Sequence, residues 1–582
     1  TFDISLTDAG ASIRTLSGFN TGSVVLGART LTLTNASTNF AGVISGSGGL
    51  TVAGGFQDLM GANTYTGATT INSGATLALL GAGSIAASSG VAANGTFDIS
   101  LTDAGASIRT LSGTGDVALG IQTLTLTNAS TTFAGVIAGS GGLTVGGGVQ
   151  TLTGANTYTG ATTINSGATL ALADAGSIAA SSGVVANGTF DISGTTAGAS
   201  IRTLSGTGDV TLGAQTLTLT DADPDAAAFE GVISGSGGLT VAGGVQWLMG
   251  ANTYTGVTTI NSGAELELYG AGSIAASSGV VANGTFGIGL TAGGTSIRTL
   301  SGTGGVALGT QTLTLTNAST FFSGVISGSG GLTVGGGMQW LTGTNTYTGS
   351  TTIDSGATLA LYGAGRIAAS SHVVANGTFD ISLTDDGASI RALSGTGDVT
   401  LGARTLTLTN ADPDFAGVIS GSGGLIIAGG IQGLKGANTY TGATTIDSGA
   451  TLVLADAGSI AASSGVAANG TFDISETTAG ASIRTLSGTG GVTLGARTLT
   501  LTNAATTFAG VISGSGGLTV GGGTETLTGA NTYTGATTIN SGATLALSGA
   551  GSIAASSGVA ANGAFDISGT TAGASVRTLS GT

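Results

Sequence analysis

Large apolar side chains alternate with Thr, Ser or Asp along the whole chain, in short runs such as FDIS, SIRTL, TLTLT, FAGVI, GLTV and TLAL, each bounded by Gly, Asn or Ser. A period of two with Gly-rich boundaries predicts short β-strands joined by tight turns. No stretch shows a 3.6-residue period with caps. The most helix-like in composition, GSIAASSGVVANG (176–188), has Gly, Ser and Val contents that predict strand and turn.

The runs repeat as a set. The landmark [TA]-F-x-I begins at 1, 96, 189, 285, 378, 471 and 564, which divides the chain into modules 1–95, 96–188, 189–284, 285–377, 378–470 and 471–563 and a partial module 564–582. Two small insertions, GFNTGSVVLG (18–27) and TDADPDAAAFEG (220–231), leave the downstream pattern in step, so both are expected in outward loops. Within a module, FAGVIAGSGGLTV (133–145) aligns with YTGATTINSGATLAL (158–172), which sets Phe133 and Tyr158 25 residues apart. Read as one coil of a solenoid, that spacing predicts about four coils per module, roughly 25 in all, and a length on the order of 120 Å at the spacing of paired strands. Phe133 and Tyr158 should then lie one coil apart on the same side.

The fold class expected is all-β, a parallel β-helix (β-solenoid) running through 1–582 as one body, with Leu, Val, Ile, Phe and Tyr inside and Thr, Ser, Asn and Gly outside. A string of β-sandwich domains fits less well. Its strands would be longer, its joints would need linkers, and Trp247 and Trp340 occur in only two modules. The chain starts and stops inside modules, so it is expected to be a window of a longer polypeptide.

Composition narrows the partners. Charged residues make up 7% of the chain, against about 25% in ordinary soluble domains, and 12 basic residues face 28 acidic ones for a net charge of −16. Such a surface cannot neutralise a run of phosphates, which argues against nucleic acid and anionic membranes. No apolar run is long enough to span a bilayer as a helix. Cysteine is absent, which removes disulfides and thiolate chemistry.

The stretch GGLTVGGGVQTLTGANTYTGATTINSGATLAL (141–172) resembles the autotransporter-associated β-strand repeat of secreted passenger regions in Gram-negative bacteria, and its NTYTGATTINSGATL core recurs in all six modules. The resemblance implies a right-handed parallel β-helix carried through the outer membrane by a C-terminal β-barrel and displayed or released outside the cell.

Candidate chemistry is sparse. His372 is the only histidine and stands where other modules place Gly, so it reads as a turn substitution; with no second His and no Cys, neither a Ser-His-Asp set nor a zinc set is expected. Asp223 with Asp225, and Asp412 with Asp414, flank the two prolines in acidic turns that would serve a glycan-binding or glycan-cleaving β-helix, but read more simply as solvated turns. SGTGDV at 112–117, 205–210 and 394–399 is compared with calcium-binding nonapeptide turns, yet its Asp comes one position early. Lys435, the only lysine, precedes Gly436 and so makes no phosphate loop. Arg14, Arg109, Arg202, Arg298, Arg391, Arg484 and Arg577 alternate with Ile and Leu and should point outward, each within reach of an acid in an adjacent coil. TLTLT occurs once per module, too seldom for an ice-binding array; β-propensity accounts for it.

No catalytic, cofactor or metal residue is therefore assigned. The expected function is structural: the non-enzymatic repeat region of an extracellular or surface fibre or adhesin, acting in adhesion, cell–cell contact or filament formation. Expected partners are further copies of the chain, associating laterally or end to end, and a host, cell-surface or matrix glycan or protein receptor. In GANTYTGATTINSGATLAL (61–79), Tyr65 is expected to begin a strand facing inward, Gly67 and Gly74 to bend the chain, Leu77 and Leu79 to return to the core, and Thr and Asn to face out.

Overall fold

The computed structural model describes residues 1–222, 228–412 and 414–582, so Asp223 and Asp225 lie outside the described residues. Two compact units are present, Thr1–Ala292 and Gly293–Thr582. Among the described residues all regular structure is β, in strands of two to seven residues, and every pairing is parallel. The architecture is a parallel β-solenoid of about 29 coils.

Each coil carries up to three short strands, as in Leu31–Leu33, Ala36–Phe40 and Val43–Ser45, before Leu50 starts the next coil above Leu31. Alternation places Leu31 and Leu33 inside and leaves Thr32 partly exposed, the arrangement expected of TLTLT. Parallel stacking also removes the edge problem along each unit, because every strand inside the stack is paired above and below.

The coil is shorter than the 25 residues expected. Leu31, Leu50 and Thr69 stack at 19-residue steps, and Thr69, Val91 and Leu111 at 22 and 20. Phe133 pairs with Leu152, while the Tyr158 amide N–H donates to the Ile137 carbonyl, so Phe133 and Tyr158 are not stacked partners. The alignment behind the 25-residue spacing matched two similar peptide patterns that belong to different faces.

At about 20 residues per coil, a 93-residue module makes about 4⅔ coils in place of four. The slip is visible in the ladders. The column Leu31, Leu50, Thr69, Val91, Leu111 continues through a Gly113–Phe133 bridge to Leu152 and Leu172. It therefore leaves the LTV strand position and enters the next strand along in the following module. The second unit does the same from Leu332, Thr351, Val373 and Leu393 through a Gly395–Phe415 bridge to Leu434 and Leu454. Within each unit, equivalent residues of neighbouring modules thus stand on different faces.

One bulge recurs in every module, with a second register shift after Ala118 in module two. Strands Thr76–Gly81 and Thr96–Thr102 shift register after Ala78, where the Asp98 carboxylate accepts the Ser100 N–H at 2.8 Å and closes a local turn. The extra residue pushes Leu101 to 67% exposure. Of the two insertions, the first does form an outward turn, with Phe19 91% exposed. The second is described only in part.

Candidate functional site

The motif that recurs most faithfully is internal. Asn63, expected outside, is buried: its amide donates to the carbonyls of Gly61 (2.8 Å) and Ser84 (3.1 Å), and its Oδ1 accepts from Ile44 N (2.9 Å). It bridges coils at a corner, where its Oδ1 is the acceptor for the Ile44 N–H and its amide adds to carbonyls that already accept backbone donors. Tyr65 is inward as expected but sits in a corner, not a strand. Its hydroxyl lies 2.6 Å from Thr69 Oγ1, which lies 3.0 Å from Ser88 Oγ, and Ser88 donates to Gly67 O at 2.8 Å. Burial pushes the Tyr65 phenol well above its ordinary range. The same chain of hydroxyls recurs from Tyr158, Tyr254, Tyr347, Tyr440 and Tyr533. Thr64, Thr66 and Asn72 remain the outward residues of this stretch, and Leu77 and Leu79 are in the core.

A second internal ladder is carried by glutamine. Gln57 is fully buried and donates to the carbonyls of Leu16, Thr38 and Asp58 at 3.1, 2.8 and 3.0 Å. Module six has Glu525 at this position, also fully buried, with Oε1 unpartnered, and burial drives its carboxyl up to about 9.

Among the outward candidates, His372 is more than a turn substitution. Its Nε2 lies 2.5 Å from Ser394 Oγ, 22 residues on and one coil up. Burial lowers its pKa while the charge of Asp412 acts the other way. The glycine at this position elsewhere is crowded: a Cβ on Gly90, Gly183, Gly465 or Gly558 would meet the hydroxyl of a threonine in the next coil at 1.9–2.0 Å. Above His372, module five has Ala392 in place of that threonine, which makes the space for the imidazole.

Two further exchanges of this kind occur. Glu267 stands beneath Gly287, where a Cβ would come within 1.9 Å of Glu267 Oε1, and where Asp occupies the Gly287 position the residue beneath it is Ala or Val. Burial first, and then the Glu265 hydrogen bond and charge, raise Glu267 to about 7. Gly433 likewise makes room for Asp414.

The expected acidic turns do not gather into a site. Asp414 forms an ion pair with Lys435 at 2.8 Å, and Lys435 lies 3.9 Å from Asp456. Asp116 and Asp398 begin strands and are exposed. Among the arginines of the repeated motif, Arg202 reaches an acid, Asp221 one coil on; the corresponding residue in the other complete modules is Asn. Among the described residues no group of three or more His, Asp or Glu is placed to hold a metal ion.

Aromatic departures meet on the surface. Phe321 stacks on Trp340 at 4.7 Å and meets Tyr362 edge-on at 5.9 Å, while Trp247 stacks on Tyr269 at 6.3 Å. Sequence reading treated Trp247 and Trp340 only as evidence against a sandwich; the step from each Trp to a Tyr in the next coil was the signal available.

A repetitive parallel β-solenoid with an internal polar skeleton and scattered outward departures is the architecture of a displayed passenger. The Passenger-associated-transport-repeat family matches residues 58–79, 144–172, 247–267, 327–361, 420–454 and 519–547, one match per module. The chain is similar to the Adhesin BmaC autotransporter of Brucella suis biovar 1 (strain 1330), with 32% identity over 282 residues covering 43% of this chain. It spans 8% of the length of that relative. No solved structure matches. The repeats and the relative indicate an autotransporter passenger, extracellular or on the cell surface of a Gram-negative bacterium.

Proposed function

We propose that this chain is the non-enzymatic rod segment of a surface adhesin, serving adhesion, cell–cell contact or filament formation. One observation carries the reading: inward positions repeat from module to module, with Glu525 the main exception, while most departures face outward. A selected catalytic site would require convergence of chemistry at one place. Selection for length and rigidity requires only that each module stack on the last.

The mechanism is geometric. At about 4.8 Å per coil, each module adds about 22 Å of solenoid. The low charge and hydroxyl-rich surface suit lateral packing against further copies, and the receptor would be a glycan or protein met by outward residues.

Excising residues 96–188 from the parent passenger displayed on cells tests this. The excision joins equivalent residues, so the variant should fold, stand about 22 Å shorter by force microscopy, and support adhesion in proportion to its remaining modules. Complete loss of adhesion by a folded variant would sink the rod reading and favour a single dedicated site.

A further inference from the structure

The bulge described above opens a groove against the following coil. Its lip is the last residue of the lower strand of the bulged pair, which takes φ near +58° and is glycine in Gly81, Gly270, Gly363 and Gly549. In modules two and five it is instead Asp174 and Asp456, each at φ 55°, the two non-glycine residues with positive φ among the described residues. A side chain has been placed where the backbone favours none. In modules one and four the lip is glycine and the residue above it supplies the acid, Asp103 or Asp385. Four modules therefore set a carboxylate at this groove, from one coil or the other.

The groove beside Asp174 has a volume of about 430 Å³ and that beside Asp456 about 490 Å³, the size of small-ligand sites. Ser177, Thr196, Ser200 and Thr218 line the first, over a floor of alanine methyl groups, and no lysine or arginine lines either. The chemistry excludes most ligands. The Asp174 groove has no cation, which disfavours anions, and one carboxylate falls short of the six to eight oxygens that calcium takes. A peptide strand would need free backbone groups, but Thr196 N donates to Asp174 O and Ala199 N to Thr216 O. What remains is a neutral ligand that donates hydroxyl protons to the carboxylate, exchanges hydrogen bonds with Ser and Thr, and lays C–H surface on the alanines.

We propose that these grooves are saccharide subsites, each taking one or two neutral hexose rings with a vicinal diol on Asp174 or Asp456. The inference rests on the adhesive reading and names the receptor's chemistry. Each groove is open and shallow, so a single one binds weakly and repetition along the chain supplies the avidity. Asp456 lies 3.9 Å from Lys435, which leaves Asp174 the freer acceptor.

Saturation-transfer NMR on the full 582-residue chain, with cellobiose, lactose and N,N′-diacetylchitobiose at millimolar concentration, tests the proposal. Transfer to the ring protons of at least one disaccharide is expected. It should fall several-fold in the double variant Asp174→Gly/Asp456→Gly, which introduces the residue that other modules already carry, and in Ala197→Tyr/Ala479→Tyr, which fills both grooves. No transfer from any of the three, or transfer unchanged in both variants, overturns the subsites. Adhesion by cells displaying the parent passenger separates the two readings: retained adhesion without disaccharide binding leaves the adhesive rod standing, and disaccharide binding without adhesion does the reverse.

Discussion

Glu525 makes an acid-stabilised coil in module six. In module one the Gln57 amide donates to three carbonyls; the corresponding acceptors around Glu525 are the carbonyls of Leu486, Thr506 and Thr526. A carboxylate there would face oxygens, whereas a carboxylic acid can donate as the amide does. The strands stacked on it, Thr507–Phe508 and Ala543–Gly549, carry no charged side chain. The Thr506 hydroxyl, 3.2 Å from Oε2, is the one contact that favours the ionised form, and burial outweighs it. The folded pKa is thus about 9 against an ordinary 4.5.

The sign follows from linkage. A folded pKa above the unfolded one gives stability that is fully present below pH 4.5 and is lost as pH rises through about 9. Between those limits folding of this region takes up one proton, so each pH unit is worth about 1.4 kcal/mol. Raising the pH from about 5 to about 7.5 should lower the free energy of local opening in module six by about 3 kcal/mol, so exchange speeds. Hydrogen exchange of peptides from 504–547, corrected for intrinsic rates and compared with 130–172 in module two, reads this directly. Glu525→Gln should remove the slope and slow exchange at neutral pH. Equal pH slopes in the two modules, or a Gln variant that leaves the slope of module six in place, would refute the protonated-acid account.

Three other outcomes follow from single contacts. Gly183→His should destabilise module two by about 1–3 kcal/mol through overpacking against Thr203, and Gly183→His/Thr203→Ala should recover most of it, as read by a double-mutant cycle in denaturant. Asn156→Ala strips the hydrogen bonds to Ile137 N, Gly154 O and Ser177 O; both carbonyls keep backbone donors, so the cost is about 1–3 kcal/mol for the one buried N–H left unsatisfied, and exchange at Ile137 should speed. Lys435→Met should change stability by less than about 1 kcal/mol and be insensitive to salt beyond that, because its ion pairs are solvent-exposed.

Strand identity and the apolar interior could be read from alternation, because a period of two determines which side chains meet the core. The polar interior could not. Asn63 and Thr69 lie in a motif of small polar residues that looks solvated, yet at the solenoid corner the Ile44 N–H takes the Asn63 amide oxygen as its acceptor and the Tyr65 hydroxyl takes Thr69 as its partner. Coil length was misread because peptide similarity carries no register. The FAGVI and YTGATTI segments resemble one another, but hydrogen-bonded stacking pairs Phe133 with Leu152. His372 was undervalued for a related reason: the residue that admits it, Ala392, is 20 positions away and one coil up, and an isolated substitution becomes a matched one only when the coils are superposed.

The one-third-coil remainder shapes how such a chain can bind. Were a module a whole number of coils, each outward residue would recur in one line, and duplication would lengthen a single stripe. With about 4⅔ coils per module, the Asp174 lip and its counterparts shift to the next face with each module inside a unit. Duplicating or deleting one module within a unit therefore changes which faces carry a given residue. Adhesion through repeated weak subsites should accordingly depend on which face an added module presents when receptors lie on a flat surface, and on module number alone when they are flexible chains that can reach every face.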